Sequence, residues 1–305
     1  MTVIRVAAIV VAYDGGDELF RCVDAVRASG YAALRLIVID NASVDGACDR
    51  LRALGSADVH VVEMSRNVGF AGGVNAGVAW LRDHGYLVDD DVVVLVNQDC
   101  IVQQGAVAAL VTRLLSDPRI GVVGARILAP DERTLQHAGG LIRENGLTEH
   151  LGRGLADCAL FWTLRDVEYV TGALCAFRAS TWAMLGPFDE RYQPVYFEEV
   201  DFCLRARRAG LRVVYEPACV AIHAEAASSG GTSSRLFLRR YHRNRIRFLA
   251  HHCLRRGSVM RTLGAELRWL VAQRRVGDVW PVLRAYAGLA LDLTIGRRRS
   301  GGIAR

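Results

Sequence analysis

No lysine occurs in this 305-residue sequence; all 38 basic residues are arginine. That excludes chemistry through a lysine Schiff base and phosphate capture by the lysine of a P-loop. The eight cysteines (Cys22, Cys48, Cys100, Cys158, Cys175, Cys203, Cys219 and Cys253) form no C-x-x-C pair. Their scatter argues against a zinc ribbon and a disulfide framework. No apolar run approaches the roughly 20 residues of a membrane-spanning helix. No charged, apolar and small-residue succession of a signal peptide opens the chain. The expectation is a cytoplasmic protein in a reducing compartment.

Hydrophobic content of 51% and charged content of 23% are those of a globular protein. The length suits one large domain, or one domain with an appendage. Charge is uneven. From Arg235 onward 17 arginines face only Glu266, Asp278 and Asp292, a local net of +14, whereas the first 234 residues carry about −8. A basic tail on a neutral-to-acidic body suggests an anionic partner for the tail.

The chain is organised around Val92–Asp99, where five apolar, mostly β-branched residues run into Asn97-Gln98-Asp99. Such a run reads as a strand buried on both faces. Asn97 and Asp99 are two apart and share a direction on an extended chain. Polar groups at the carboxyl end of a central strand sit where open α/β sheets bind ligands. Asp99 is therefore a candidate for a metal or diphosphate contact; the plain alternative is an Asx-turn closing the strand. Val6–Tyr13, Leu34–Ile39 and Val59–Val62 read as further strands. They end in Asp14-Gly15-Gly16, in Asp40-Asn41-Ala42-Ser43 (Ser43 a possible helix cap) and before the glycine loop Arg66–Gly77. Strands alternating with helical patterns mean βαβ units and a mostly parallel sheet over about residues 1–125. The glycine loop fits neither G-x-G-x-x-G nor a P-loop. Its glycines allow close backbone approach to a ligand, or a structural loop.

Beyond residue 126 the pattern loosens into short strands and turns, with Gln136–Gly140 read as a hairpin bend. Glu198-Glu199-Val200-Asp201 opens a helix that Gly210 stops. A carboxylate at a helix start inside a cleft is a candidate general base, although Asp201 and Arg205 could simply form an i,i+4 ion pair. Val213–Tyr215 and Cys219–Ile222 read as two strands, the second ending at His223. Ser228–Ser234 is a Gly/Ser loop. Helices are predicted over 235–252, 261–273 and 279–294.

Together these stretches resemble the inverting glycosyltransferase family 2, with its GT-A fold, and most nearly its bacterial rhamnosyl- and galactofuranosyl-transferase-like members. The resemblance covers about residues 4–250 and rests on five motifs in order. Ile9–Asp14 resembles the first-strand nucleotide loop. Val38–Gly46 resembles the second-strand motif. Asn67–Asn75 resembles the glycine loop, Asn97-Gln98-Asp99 the D-x-D element, and Glu198–Asp201 the E-D-x-D helix. Two positions depart from the pattern. Asn97 stands for the first Asp of D-x-D, and Glu199 stands where the family has its Asp base.

The resemblance implies a nucleotide-diphosphate-sugar site of Tyr13, Asp14, Asp40, Asn41, Asn67, Gly69, Asn75, Asn97 and Gln98, with Asp40 on the base of the nucleotide. It implies Mg²⁺ or Mn²⁺ at Asp99 and His223, and a catalytic base among Glu199, Glu198 and Asp201. It implies a glycan or polyprenyl-linked acceptor in cell-surface polysaccharide synthesis. Residues 1–234 would form the catalytic domain, with the donor half in 1–125 and the acceptor half in 126–234. Beyond the resemblance, the arginine-rich amphipathic pattern of residues 235–305 reads as a basic helical extension touching the inner face of the cell membrane peripherally. Nucleic acid is not expected as a partner. Three rival readings remain: a sugar nucleotidyltransferase, which normally needs an N-terminal phosphate loop and a lysine; a nucleic-acid-binding module using the arginine tail; and an inactive family member acting as an assembly partner.

Overall fold

A computed structural model describes residues 4–225, 234–252, 259–272 and 279–288. The strands are β1 (Val6–Ala12), β2 (Leu34–Asp40), β3 (Val59–Glu63), β4 (Val92–Asn97), β5 (Cys100–Val102), β6 (Ile120–Leu128), β7 (Leu135–His137), β8 (Gly140–Ile142), β9 (Thr148–His150), β10 (Arg165–Asp166), β11 (Leu174–Arg178) and β12 (Arg212–His223). The helices are α1 (Gly16–Arg27), α2 (Ala47–Ala53), α3 (Gly69–Asp83), α4 (Ala106–Ser116), α5 (Ala179–Leu185), α6 (Glu198–Arg208), α7 (Arg235–His252) and α8 (Val259–Ala272). A helix also spans 279–288. Residues 226–233, which take in all of the predicted Gly/Ser loop but Ser234, and 273 and 289–294, the ends of the last two predicted helices, lie outside the described residues.

The main sheet runs β10-β12-β6-β11-β4-β1-β2-β3. From β3 to β4 it is parallel, as the βαβ alternation requires. Beyond β4 it is mixed: β11 enters antiparallel to both β4 and β6, and β12 returns parallel to β6. The central strands are valine- and isoleucine-rich and buried on both faces. On one face Leu19 and Cys22 of α1 and Leu110 and Leu114 of α4 pack with Val94, Val96 and Val123. On the other lie α3, α5 and α6, where Phe177, Trp182, Phe188 and Phe202 form one aromatic cluster.

Four local readings change. The glycine stretch is mostly helix, since α3 begins at Gly69. A Cβ on Gly73 would sit 2.6 Å from Val11 Cγ1, and one on Gly77 3.0 Å from Ile9 Cγ2. The close backbone approach these two glycines permit is thus to β1. The two expected strands at 213–215 and 219–222 are one strand, β12, with a register shift between Glu216 and Val220. Pro217, which has no N–H to give the ladder, sits in that bulge. Residues 136–140 form a corner rather than a hairpin; the hairpin is β8–β9, with Gly146 in the left-handed region. Ser43 caps no helix, because α2 starts at Ala47, whose N–H donates to Asp45.

The chain divides into two units: residues 1–141 with 149–228, and residues 142–148 with 229–305. The first holds the main sheet. The second is built around a buried ion pair between Arg245 of α7 and Glu266 of α8, with two N···O contacts of 2.7 Å. Asn145 completes it, accepting from Arg245 at its carbonyl and donating to Glu266. Ile246, Leu249 and Ala285 form a small core in the same unit. Among the described residues no helix is long and apolar enough to cross a membrane.

Candidate active site

Antiparallel pairing sets Cys100 of β5 opposite His223, the last residue of β12. That register brings Asp99 to His223, with Oδ1 3.1 Å from Nε2. Both side chains are nearly buried. His223 Nδ1 lies 3.1 Å from Gln136 Oε1, and Gln136 Nε2 donates to the His223 carbonyl at 2.7 Å. The Gln136 oxygen can only accept, so Nδ1 carries a proton and Nε2 faces Asp99. Asn97 Nδ2 stands 3.3 Å from the same Nε2. Burial alone would raise the Asp99 carboxyl, but the hydrogen bond and charge of His223 outweigh it and hold Asp99 below its usual range.

A divalent cation fits this donor set. Two neighbouring ligands of an octahedral ion at about 2.1 Å are spaced about 3.0 Å apart, close to the observed 3.1 Å. The Gln136 anchor is the outer hydrogen bond that fixes the tautomer of a metal-binding histidine. Among the described residues no group of three or more His, Cys, Asp and Glu side chains could hold a metal. Asp99 and His223 would therefore leave positions for substrate oxygens and water, which suits Mg²⁺ or Mn²⁺ acting on a phosphate.

The neighbouring strand ends are held by side chains singled out in the sequence. Gln98 clamps the backbone of Tyr13, accepting its N–H at 2.8 Å and donating to its carbonyl at 3.0 Å. Asp14, with φ of 47°, accepts from the Val44 N–H and so ties the β1 loop to the β2 loop. Asp40 accepts from the Ser43 N–H. Asn41 accepts from the Val68 N–H and donates to Asn67 and to the Gly69 carbonyl, while Asn67 accepts from the Gly69 N–H. Asn41 and Asn67 therefore shape the start of α3. Gly69 has φ of 76°, and a Cβ there would lie 2.9 Å from the Pro194 carbonyl. Asn75 reaches the other way, bonding both backbone groups of Phe188 and the Glu190 carboxylate. These bonds fasten α3 to the segment that leads into α6.

Two aromatic residues in the left-handed region, Tyr196 (φ 83°) and Phe197 (φ 81°), precede α6. Each conformation costs about 1–3 kcal/mol and is retained where the surroundings enforce it, commonly at functional sites. Glu198 is buried, and its Oε2 has no hydrogen-bond partner among the described residues. Burial, and then the adjacent Glu199 charge, pushes the Glu198 carboxyl well above its ordinary value. Burial raises Glu199 to about 7. Glu199 lies on the β11 side of α6; after burial and Cys203, its charge helps to push the Cys175 thiol up. Cys175 pairs with Leu95 of β4, two residues before Asn97. Asp201 pairs with Arg205 at 2.7 Å, and Arg205 also donates to the Leu185 and Pro187 carbonyls. Two carboxyl groups with raised pKa values thus sit beside one already engaged in an ion pair.

Sequence reasoning missed Gln136 and Glu190, which act through His223 and Asn75. Neither carries a local motif.

A model described as glycosyltransferase like family 2 matches residues 4–248. The chain belongs to this family. An N-acetylglucosaminyl-diphospho-decaprenol L-rhamnosyltransferase of Mycobacterium tuberculosis is 28% identical over 265 residues, 79% of this chain and 83% of that protein. A hexosyltransferase of low-salt glycan biosynthesis from Haloferax volcanii is 25% identical, over 65% of this chain and 60% of that one. An uncharacterised Sinorhizobium fredii protein is 31% identical over 66% of this chain, which spans only 22% of its length. Among solved structures, a Pyrobaculum calidifontis mannosyltransferase in complex with GDP-Man and Mn²⁺ superposes with a TM-score of 0.60 at 19% identity. The match covers 96% of this chain and 76% of that one. GalNAc-T7 with UDP, GalNAc and Mn²⁺ also gives 0.60, at 17% identity, covering 79% of this chain and 47% of that one. These likenesses establish the GT-A fold for this family 2 glycosyltransferase.

Proposed function

We propose that this family 2 member transfers a hexose or deoxyhexose, rhamnose or galactofuranose among them, from a nucleotide-diphosphate sugar to a glycan or polyprenyl-linked acceptor, with inversion. The observation that carries the reading is the Asp99–His223 pair anchored by Gln136 at the carboxyl edge of the sheet. The rhamnosyltransferase relative, named for a decaprenol-linked sugar, supports a lipid-linked acceptor. On this reading residues 1–234 carry the catalytic site, and residues 126–234 supply the acceptor side.

The loops of Tyr13, Asp14, Asp40 and Asn41 hold the nucleotide, with the start of α3 beside them. Asp99 and His223 would hold Mg²⁺ or Mn²⁺, which when bound neutralises charge on the leaving diphosphate. Glu199 takes the proton from the acceptor hydroxyl as its oxygen attacks the anomeric carbon and the diphosphate leaves from the opposite face. One displacement inverts the centre, and no covalent enzyme intermediate forms. A pKa near 7 suits a base working at neutral pH. Glu198, kept neutral by burial, adds no charge beside Glu199. Asp201 positions the helix through Arg205.

Thermal shift with UDP, dTDP and GDP sugars, with and without Mn²⁺, tests the reading. A Mn²⁺-dependent shift with one nucleotide, lost in Asp99→Ala, is the expected result. Binding without turnover would favour an inactive assembly partner, and no shift with any nucleotide would remove the donor site.

A further inference from the structure

Helix α8 turns a row of large apolar side chains to the solvent while burying two polar ones. Thr262 and Glu266 are buried, and Glu266 is neutralised by Arg245. Met260, Leu263, Leu267 and Val271 are 81%, 51%, 63% and 77% exposed. At 100° per residue these four fall within a stripe about 80° wide. A water-facing helix normally shows the reverse pattern. Four large apolar side chains in one uninterrupted row, opposite a satisfied buried ion pair, form a contact face that needs a covering. Trp280 and Leu283, on the following helix of the same unit, are also about half exposed.

Charge decides what covers it. Arg261 is exposed beside the stripe. Arg268 on the same flank is 74% exposed and only 3.8 Å from Glu144, a loose, solvated pair. The region from residue 235 onward carries a net charge of +14. A second copy of this chain would set one such positive field against another, so self-association through this face is opposed. An anionic bilayer matches both features. Its acyl boundary takes the apolar row, and its phosphates take the arginines. We infer that the α8 stripe of Met260, Leu263, Leu267 and Val271 is an interfacial docking face for an anionic membrane, lying in the bilayer surface without crossing it. The stripe shares no residue with the transfer site, so the inference stands or falls independently of the proposed activity.

The full-length protein is sedimented with neutral phosphatidylcholine vesicles and with vesicles containing about one-third phosphatidylglycerol. Wild type should bind the anionic vesicles at least about tenfold more tightly, and less tightly as salt rises. Leu263→Glu/Leu267→Glu should lose about tenfold or more of that binding with an unchanged melting temperature, because both side chains already face water. Arg261→Gln should retain the apolar contribution and weaken the salt-dependent part. The inference is overturned if wild type stays in the supernatant with anionic vesicles or if the double variant binds them as wild type does. It is equally overturned if light scattering shows a dimer that Leu263→Glu/Leu267→Glu dissociates.

Discussion

Replacing Glu199 by glutamine keeps the shape of the side chain and removes its titration. In the folded protein burial raises this carboxyl from 4.5 to about 7; in the unfolded chain it returns to its ordinary value. Between those two pH values the folded protein holds a proton that the unfolded chain has released. Stability therefore falls as pH rises through that window, with the full penalty present above about 7 and none below about 4.5. At about 1.4 kcal/mol per pH unit the window is worth at most about 3–4 kcal/mol. Glu199→Gln does not cross it. The stability advantage of the variant over wild type should grow by up to about 3–4 kcal/mol between pH 4.5 and pH 8, read from urea unfolding of both proteins in the same buffers. Turnover should move the opposite way. The base works only unprotonated, so the wild-type rate should rise with pH through about 7, and Glu199→Gln should lose about 10²–10⁴-fold. The assay is initial-rate release of nucleoside diphosphate across the pH range. A stability difference that is flat with pH would show that Glu199 does not hold its proton through burial. A variant that turns over like wild type would remove Glu199 as the base and leave Glu198 as the carboxyl to test.

Other consequences are equally direct. Gln136→Leu frees the His223 ring to rotate and removes the acceptor that sets its tautomer; affinity for Mn²⁺ in the presence of nucleotide should fall about 10–100-fold by calorimetry, with the melting temperature of the metal-free protein little changed. Gly73→Ala places a methyl 2.6 Å from Val11 Cγ1, so α3 must shift from β1, at a cost of about 1–3 kcal/mol in urea unfolding. An unchanged midpoint would mean that α3 is not held against β1 as described.

What the sequence reveals and what it hides follow from the range of each interaction. Strand ends are legible because a buried parallel strand is a run of β-branched residues that stops where the polar loop begins, as at Val92–Asn97. The acidic start of α6 is legible because three carboxylates crowd one helical turn. The same pattern does not say which carboxylate is available. Arg205 engages Asp201 four residues along, whereas Glu199 gets its raised pKa from burial, which only the packing of α6 against the sheet supplies. The glycines of α3 show the limit of composition. Glycine permits close approach but does not name what approaches, and for Gly73 and Gly77 it is β1. His223 is a lone histidine in sequence, 126 residues from Asn97. It becomes part of a site only through the β5–β12 register and through Gln136, a residue with no motif of its own. The exposed apolar row is hidden for a related reason. The apolar spacing of α8 predicts a helix but not its orientation. The buried Arg245–Glu266 pair, with Trp269 beside it, fixes that and leaves the row of Met260, Leu263, Leu267 and Val271 to the solvent.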